Sequence, residues 1–278
     1  MSSSDNSLAS GEASKTDDIP CLSHASPRQR PGTGFNNIDG KAAKARGITV
    51  CNVPEYSTDA VASMVMTFVL SLSCSLIQQQ RKLWGPEPNR EEWSSLRGLS
   101  HFELSGKTIG LIGGRGAIGS KVSEMARVFG MRVVISSRST APCPGAEVVS
   151  LDSLLDQSDF VSVHCPLNDD TRASLSAETF RRMKKTAFFV NTARGGIVNE
   201  RDLCLALDAG EIAGAGLDVQ ESEPPPADSR LWDLAKENKV LLTPHIGWQR
   251  KETRQRLVDS VARNVQSFLK GEPQNVVN

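Results

Sequence analysis

TIGLIGGRGAIG, the sequence of residues 108–119, is the segment from which the fold of this chain is most directly inferred. Its first five residues are apolar or β-branched apart from one glycine, which predicts a buried strand. Gly114, Gly116 and Gly119 then follow in the spacing Gly-x-Gly-x-x-Gly, which connects a strand to a helix in dinucleotide-binding loops. We expect Gly114 to form the tight turn, Gly116 to let the backbone approach a pyrophosphate, and Gly119 to let helix and strand pack closely.

Ala117 and Ile118 begin the helix that is predicted to follow these glycines. The first N–H groups of a helix lack partners within it, and the helix dipole makes this end positive. We therefore expect Ala117 and Ile118 to bind the phosphates of a dinucleotide. A glycine turn that only connects two elements is the alternative, and the regular pattern that follows the loop disfavours it.

Strands and helices alternate regularly after this loop. The strand patterns are continuous apolar runs, which are typical of a parallel sheet with both faces covered. Six strands are predicted, at Thr108–Ile112, Arg132–Ser136, Phe160–His164, Ala187–Asn191, Ala213–Asp218 and Val240–Thr243. Four helices are predicted, at Ala117–Phe129, Ala177–Met183, Glu200–Ala209 and Glu252–Leu269. This order predicts an α/β protein with a doubly wound, Rossmann-type parallel sheet and right-handed crossovers.

The end of the second strand carries information on the cofactor. An NAD-binding unit usually has an acidic residue there, which binds the ribose 2′-hydroxyl. This chain has Ser137, Arg138 and Ser139 at that place. A guanidinium with neighbouring hydroxyls suits a 2′-phosphate, so we expect NADP(H) to be preferred, with NAD(H) possible. The alternative is that Arg138 only faces solvent.

Composition excludes several classes of protein. The 278 residues include 32 Lys and Arg against 32 Asp and Glu, and this balance argues against binding nucleic acid by bulk electrostatic attraction. The six cysteines show no paired spacing, as is typical of a reduced, cytoplasmic chain. The four histidines are not spaced as metal ligands on one element, so no metal site is predicted.

Two segments before the glycine loop have a different character. Residues 1–31 contain eight Ser and few aliphatic residues, and we expect a disordered tail because little apolar surface is available to offset ordering. Residues 60–77 carry no charge over 18 positions, but five of these are Ser or Thr. We interpret this run as a helix buried between packed elements rather than a membrane span, and no secretory signal is found.

Several ordered motifs resemble the D-isomer-specific 2-hydroxyacid dehydrogenases. They are Gly34–Asp39, Asn52–Pro54, His164–Leu167, Val190–Gly196, Gly216–Val219, Glu223–Pro224 and Thr243–Gly247. Within that family, Pro225–Asp228 and the ending Gly271–Asn278 are most similar to the glycerate dehydrogenase, or hydroxypyruvate reductase, branch. The resemblance covers roughly residues 32–278 and implies hydride transfer between a nicotinamide cofactor and a small 2-keto or 2-hydroxy acid.

The resemblance implies three catalytic residues. Arg194 would bind the carboxylate and carbonyl of the substrate, where a planar guanidinium can hold one pose. His245 would be the acid and base, and Glu223 its carboxylate partner, which favours the protonated imidazole. Glu221 is a nearby competitor for the role of Glu223. We prefer Glu223 because it precedes the proline run, five residues after Asp218, as in the family pattern.

The resemblance also implies cofactor contacts beyond the glycine loop. Asp218 is expected near the nicotinamide. Arg194 and His245 are expected to touch the cofactor as well as the substrate. The remaining implied contacts are Pro166, Thr171, Thr192, Ala193 and Gly247. Cys165 is interpreted as a small packed residue rather than a nucleophile, because no motif supplies it with a base.

The chain departs from the family in two places. Gly113 and Gly114 stand where one glycine usually follows the strand, so the glycine loop is one residue longer. By the resemblance, a Ser-rich tail is expected to stand where the family has the first part of its substrate domain. We therefore expect a dinucleotide-binding domain at residues 60–248 and a truncated substrate lobe from residues 32–59 and 249–278.

Two further expectations concern assembly and activity. Residues 60–77, with the segment around Trp84 and Trp93, are expected to pack against a second copy in a homodimer. A small 2-keto or 2-hydroxy acid is the expected partner, with no nucleic acid and no membrane. The alternative to an enzyme is a non-catalytic dinucleotide-binding or interaction protein of the same family.

Overall fold

The computed structural model describes residues 28–29, 32–36, 38–84, 93 and 99–278. The predicted disordered tail therefore lies almost wholly outside the described residues, as does Asn37. The strands are β1 (Arg28–Gln29), β2 (Val50–Cys51), β3 (Thr108–Ile112), β4 (Arg132–Ser136), β5 (Glu147–Val148), β6 (Phe160–Val163), β7 (Phe188–Asn191), β8 (Gly214–Leu217) and β9 (Val240–Leu242). The helices are α1 (Gly40–Ala45), α2 (Thr58–Ser73), α3 (Leu76–Leu83), α4 (Ala117–Val128), α5 (Leu151–Gln157), α6 (Ala177–Arg182), α7 (Glu200–Ala209), α8 (Arg230–Lys236) and α9 (Lys251–Leu269).

Seven of these strands form one parallel sheet in the order β5-β4-β3-β6-β7-β8-β9. The predicted doubly wound fold is therefore confirmed, and each of the six predicted strands is present to within one residue at either end. β5 and the helices α5 and α8 were not predicted, because each is seven residues or shorter and has little periodic pattern.

The order in which the chain adds strands to the sheet reverses between β3 and β6. From the central β3 the chain runs outward to β4 and β5, and then returns to the other side of β3 as β6. The connections leaving these two neighbouring strands therefore diverge, which opens a crevice at their carboxyl ends. The glycine loop follows β3 directly and lies at this crevice.

Two apolar clusters cover the two faces of the sheet. One contains Phe180, Phe189 and Leu203, and the other contains Phe68 and Leu111. Both faces are thus removed from water, which explains why the strands are apolar throughout rather than alternating.

The uncharged run at residues 60–77 forms parts of two helices. α2 ends at Ser73, and α3 begins at Leu76 after Ser75, whose φ of 51° is left-handed. Met64, Val65 and Phe68 of α2 are buried on the sheet, as predicted for a helix between packed elements. Among the described residues no single helix has the length and apolarity to cross a membrane; α2 and α3 pass that test only together, and they meet at 62°.

The two segments predicted to share the substrate lobe contact each other. The N–H of Asn52 donates to the carbonyl of Asn275 at 3.1 Å, and the N–H of Val277 donates to the carbonyl of Val50 at 2.9 Å. Asn264 of α9 donates through Nδ2 to the carbonyl of Asn52 at 2.9 Å. These contacts support the predicted grouping of residues 32–59 with 249–278, and the division into lobes stays a prediction.

α9 begins one residue before its predicted start and ends at Leu269, as predicted. Gly271 follows with a φ of 82°, the left-handed conformation that commonly ends a helix. The apolar residues of α9 are only partly covered, because Leu257 is buried while Leu269 is 76% exposed.

Candidate active site

The predicted site residues gather at one edge of the sheet. Because all seven strands are parallel, their carboxyl ends lie at the same edge. The loops after β3, β4, β6, β7, β8 and β9 carry the predicted residues, in the order Gly114–Gly119, Ser137–Ser139, Pro166 and Thr171, Thr192–Arg194, Asp218 and Glu223, and His245 and Gly247. The topology thus brings together residues that are up to 133 positions apart, as Gly114 and Gly247 are.

His245 and Glu223 form a direct pair. Nδ1 of His245 lies 2.7 Å from Oε2 of Glu223, and both side chains are about one-third exposed. Burial opposes ionisation of the Glu223 carboxyl, but the hydrogen bond and charge of His245 outweigh it and hold the pKa of Glu223 below its ordinary value. The N–H of Gln220 and the positive charge of Arg194 act in the same direction. Glu223 is therefore a carboxylate beside the imidazole.

Asp218 anchors the loop that carries His245. This residue is buried, and its carboxylate accepts from the Thr243 hydroxyl at 2.6 Å, from the N–H of Ile246 at 2.9 Å and from the N–H of Gly247 at 2.8 Å. The N–H of His245 itself donates to the Asp218 carbonyl at 2.8 Å. Whatever its contact with a cofactor, Asp218 is a positioning residue for His245.

Arg194 is held from two directions. Its Nε donates to Oδ1 of Asn36 at 3.2 Å, and its Nη1 donates to the carbonyl of Ala193 at 2.7 Å. Gly34 lies against the guanidinium so closely that a Cβ added there would overlap Nη2. The Gly34–Asp39 motif therefore contacts the candidate active site through Arg194. The resemblance to the family did not specify this contact.

Asn191 shapes the loop that presents Arg194. Its Oδ1 accepts from the N–H of Ala193 at 3.0 Å, and its Nδ2 donates to the carbonyl of Arg194 at 3.0 Å. The sequence motif included Asn191, but no role was predicted for it. Gly195 then packs against the backbone of Gln220, where any Cβ would overlap, and so draws the Arg194 loop toward the loop of Glu223.

The glycine loop differs from the prediction in one detail. The left-handed φ, 76°, falls at Gly113 rather than at Gly114, and a Cβ on Gly113 would lie 2.8 Å from the backbone nitrogen of Cys165. The tight turn therefore depends on Gly113. Gly114 lies beneath the start of α4 instead, and a Cβ on Gly119 would come within 2.5 Å of it.

Burial raises the pKa of the Cys165 thiol, which agrees with the interpretation of Cys165 as a packed residue.

Arg115 of the glycine loop reaches the corner after β4, and no role was predicted for it from the sequence. Nε of Arg115 donates to Oγ of Ser137 at 2.9 Å, and its Nη2 donates to the carbonyl of Ala141. Arg138, which was predicted to bind the cofactor, is exposed and makes no hydrogen bond within the described part of the chain. The position of Arg115 between two glycines of the loop is the sequence feature from which its role could have been predicted.

The remaining predicted contacts flank the same crevice. Thr171 donates through Oγ1 to the carbonyl of Pro166 at 2.7 Å, which closes the loop after β6. Thr192 is buried, and its Oγ1 has no partner among the described residues. Nε2 of His164 on the neighbouring strand end is likewise buried and unpartnered there, and burial lowers the pKa of His164 to about 4. The imidazole of His164 is therefore neutral near pH 7.

Comparison with known proteins gives a consistent identification. Residues 66–247 match the family model described as D-isomer specific 2-hydroxyacid dehydrogenase, NAD binding domain. A glycerate dehydrogenase from Methylorubrum extorquens is 36% identical over 250 residues, which cover 88% of this chain and 76% of that protein. A glyoxylate reductase from Korarchaeum cryptofilum is 38% identical over 254 residues, covering 88% of this chain and 74% of that protein.

A solved structure extends the comparison to three dimensions. An acyclic imino acid reductase in complex with NADPH and D-Arg superposes with a TM-score of 0.76 at 31% identity, covering 91% of this chain and 78% of that one. The chain therefore belongs to the D-isomer-specific 2-hydroxyacid dehydrogenases, a family of enzymes that transfer hydride between a nicotinamide cofactor and 2-hydroxy acids.

Proposed function

We propose that this chain reduces a small 2-keto acid, hydroxypyruvate or glyoxylate, with hydride from NADPH, and catalyses the reverse oxidation. The observation that carries the proposal is the pair of His245 and Glu223, joined at 2.7 Å on the sheet edge that also carries Arg194. The choice of substrates is supported by the glycerate dehydrogenase and glyoxylate reductase relatives.

His245 is the proton donor in this proposal. Hydride addition to the keto carbon leaves an alkoxide, which needs a proton at its oxygen. Glu223 holds Nδ1, and Nε2 of His245 makes no hydrogen bond with any residue that the structure describes. The carboxylate holds the orientation of the ring and a proton on Nδ1, so Nε2 is the nitrogen that gives the proton during reduction and takes it back during oxidation.

Arg194 binds the substrate carboxylate and polarises its carbonyl in this proposal. Asn36 and the Ala193 carbonyl hold the guanidinium before substrate arrives, so little side-chain freedom is lost on binding. A planar fork of N–H donors also gives the keto acid one orientation, which a lysine ammonium could not do.

The glycine loop fits a dinucleotide. A Cβ on Gly116 would meet no atom within 4 Å, so the backbone there is open to a ligand. No side chain in the described part of the chain caps the start of α4, which leaves the N–H groups of Ala117 and Ile118 for phosphates. The buried hydroxyl of Thr192, which has no partner among the described residues, lies at the end of β7, two strands away from β3 in the sheet. Bound there, the nicotinamide would supply the hydride.

The corner after β4 supports a preference for NADP(H) over NAD(H). Arg115 of the glycine loop and Arg138 both lie near Ser137 at this corner. No carboxylate of the described residues forms an ion pair with either arginine. An acidic residue would repel a 2′-phosphate, whereas a guanidinium group held at this corner attracts it.

Assembly and location form the last part of the proposal. We place a twofold contact on α2 and α3 and the segment after them, where Leu70, Leu76, Trp84 and Trp93 are exposed. The cytoplasmic location predicted from the scattered thiols is kept, and the five described cysteines are free.

A direct assay tests the proposed reaction. Purified protein is mixed with NADPH or NADH and with hydroxypyruvate or glyoxylate, and the loss of reduced cofactor is followed by absorbance. We expect oxidation that depends on the keto acid, and a loss of about 10²–10⁴-fold in turnover for His245→Ala. Cofactor binding without turnover, in a folded protein, would favour the non-catalytic alternative.

A further inference from the structure

We propose that Arg115, between Gly114 and Gly116, is the residue that recognises the 2′-phosphate of NADP(H), and that the turn at residues 137–141 holds it ready to do so. This inference rests on the proposed function. It assigns the preference for NADP(H) to a residue of the glycine loop rather than to Arg138.

The contacts of Arg115 place its guanidinium at the ribose corner. Nε donates to Oγ of Ser137 at 2.9 Å, and Nη2 donates to the carbonyl of Ala141. The adenosine ribose of a dinucleotide lies at the end of the second strand, which here is Ser136 of β4. Arg115 therefore reaches from the phosphate loop to the position where a 2′-substituent would lie.

The turn that receives Arg115 is itself ordered by hydrogen bonds. Oγ of Ser137 donates to the carbonyl of Ser139 at 2.7 Å while it accepts from Arg115. The N–H of Ala141 donates to Oγ of Ser139 at 3.4 Å. The Ser137 hydroxyl is thus engaged as donor and acceptor, and its chemical role is to fix the arginine rather than to bind a ligand.

Arg115 keeps enough donors for a phosphate. A guanidinium has five N–H donors, and two are used by Ser137 and Ala141. Three N–H groups and the whole positive charge remain, because no acidic side chain of the described residues pairs with Arg115. A dianionic 2′-phosphate matches such a fork, and charge-assisted bonds of this kind are strong.

Arg138 is less suited to the same task. Its side chain is exposed and makes no hydrogen bond or ion pair in the part of the chain that the structure describes. Ordering a free arginine on binding costs conformational entropy, and an exposed charge is screened by salt. Arg115, which is half-buried and held at two atoms, avoids most of this cost.

The test compares Arg115→Ala with Arg138→Ala in direct binding. The affinities of NADPH and NADH are titrated by fluorescence for the parent protein and both variants. Adenosine 2′,5′-bisphosphate and 5′-AMP, which lack the nicotinamide, compete for the same corner and report on the 2′-phosphate alone. We expect Arg115→Ala to lose at least about tenfold in affinity for NADPH and the bisphosphate, with NADH and AMP changed by less than about threefold.

The two variants serve as controls for each other. We expect Arg138→Ala to weaken NADPH by less than about threefold. Ser137→Ala, which removes the acceptor for Nε, should weaken NADPH by an intermediate factor while NADH binding stays unchanged. Unchanged NADH affinity shows in each case that the fold and the phosphate loop are intact.

Three results would overturn the inference. A larger loss in Arg138→Ala than in Arg115→Ala would make Arg138 the ligand. An equal loss of NADPH and NADH in Arg115→Ala would mean that Arg115 only shapes the glycine loop. Equal affinities of the parent for the two cofactors would remove the 2′-phosphate site but leave the proposed reaction standing. Failure of the parent to bind either cofactor would instead refute the proposed function itself.

Discussion

Nδ1 of His245 lies 2.7 Å from Oε2 of Glu223, and the N–H of the same histidine donates to the carbonyl of Asp218. Both the ring and the backbone of His245 are thus tied to the segment that follows β8. The imidazole has a fixed orientation at the carboxyl edge of the sheet, and this order does not depend on a bound substrate.

Glu223→Gln should shift the pH dependence of reduction. The pKa of Glu223 lies below its ordinary value of 4.5, so the carboxylate keeps its negative charge beside the imidazole above that pH and loses it only as the pH falls through the lowered pKa. Glutamine can accept the hydrogen bond but has no charge to stabilise the imidazolium. We expect turnover to fall about 10–100-fold, and the loss of rate at low pH that comes from protonation of Glu223 should be absent from the kcat profile of the variant.

Glu221→Gln is the matched control for this change. Glu221 is exposed and lies two residues before Glu223. Its backbone N–H donates a hydrogen bond to the carboxylate of Glu200, and its own carboxylate accepts none among the described residues. Its profile should match that of the parent. A shifted profile in Glu221→Gln, with none in Glu223→Gln, would transfer the partner role to Glu221.

Gly34→Ala should impair the substrate site from a distance in sequence. A Cβ at Gly34 would overlap Nη2 of Arg194, so the guanidinium must move to make room. A shift of about 1 Å in a positioning group commonly costs on the order of 10²-fold, and we expect at least a tenfold loss in kcat/KM with NADPH affinity unchanged.

Gly40→Ala is the control in the same lobe. A Cβ there meets only Asn278, at 3.4 Å, which is ordinary contact. Steady-state kinetics with varied keto acid, and cofactor titration, check both variants. Parent-like kcat/KM for Gly34→Ala would show that Arg194 does not need its observed position.

Asp218→Asn should lower stability and loosen the His245 loop. The buried carboxylate accepts from one hydroxyl and from the N–H groups of Ile246 and Gly247. An amide supplies only one oxygen and places an NH₂ group against a donor. We expect the free energy of unfolding to fall by about 1–3 kcal/mol in urea titrations. Asp228→Asn, at an exposed position, should change it by less than about 0.5 kcal/mol; equal effects of the two would contradict the anchoring role.

The dimer proposal predicts a mass of two chains in sedimentation at micromolar concentration. Leu76→Glu or Trp84→Glu should then give monomers, because a charge would be buried in the contact. Both positions are exposed in the single chain, at 44% and 80%, so the change should not disturb the fold. Val258→Glu, at a 62% exposed position on α9, should remain a dimer. A folded parent that sediments as a monomer would refute the proposal.

The strands and the glycine loop were predictable from sequence for a physical reason. A parallel strand buried on both faces has to be apolar throughout, so β3, β6 and β7 are visible as local runs without any knowledge of their neighbours. The short elements β5, α5 and α8 have no such local signal, because packing rather than periodicity stabilises them.

The residues of the candidate site could be predicted from the sequence only in part. Arg194, Glu223 and His245 follow strands of one parallel sheet, so residue types and order were enough to suggest a common edge. The hydrogen-bond partner of each side chain could not be predicted from the sequence. Arg194 binds Asn36, 158 positions away, and Arg115 binds Ser137, 22 positions away. Such contacts depend on how loops from different strands approach one another, and local sequence pattern carries no record of that distance.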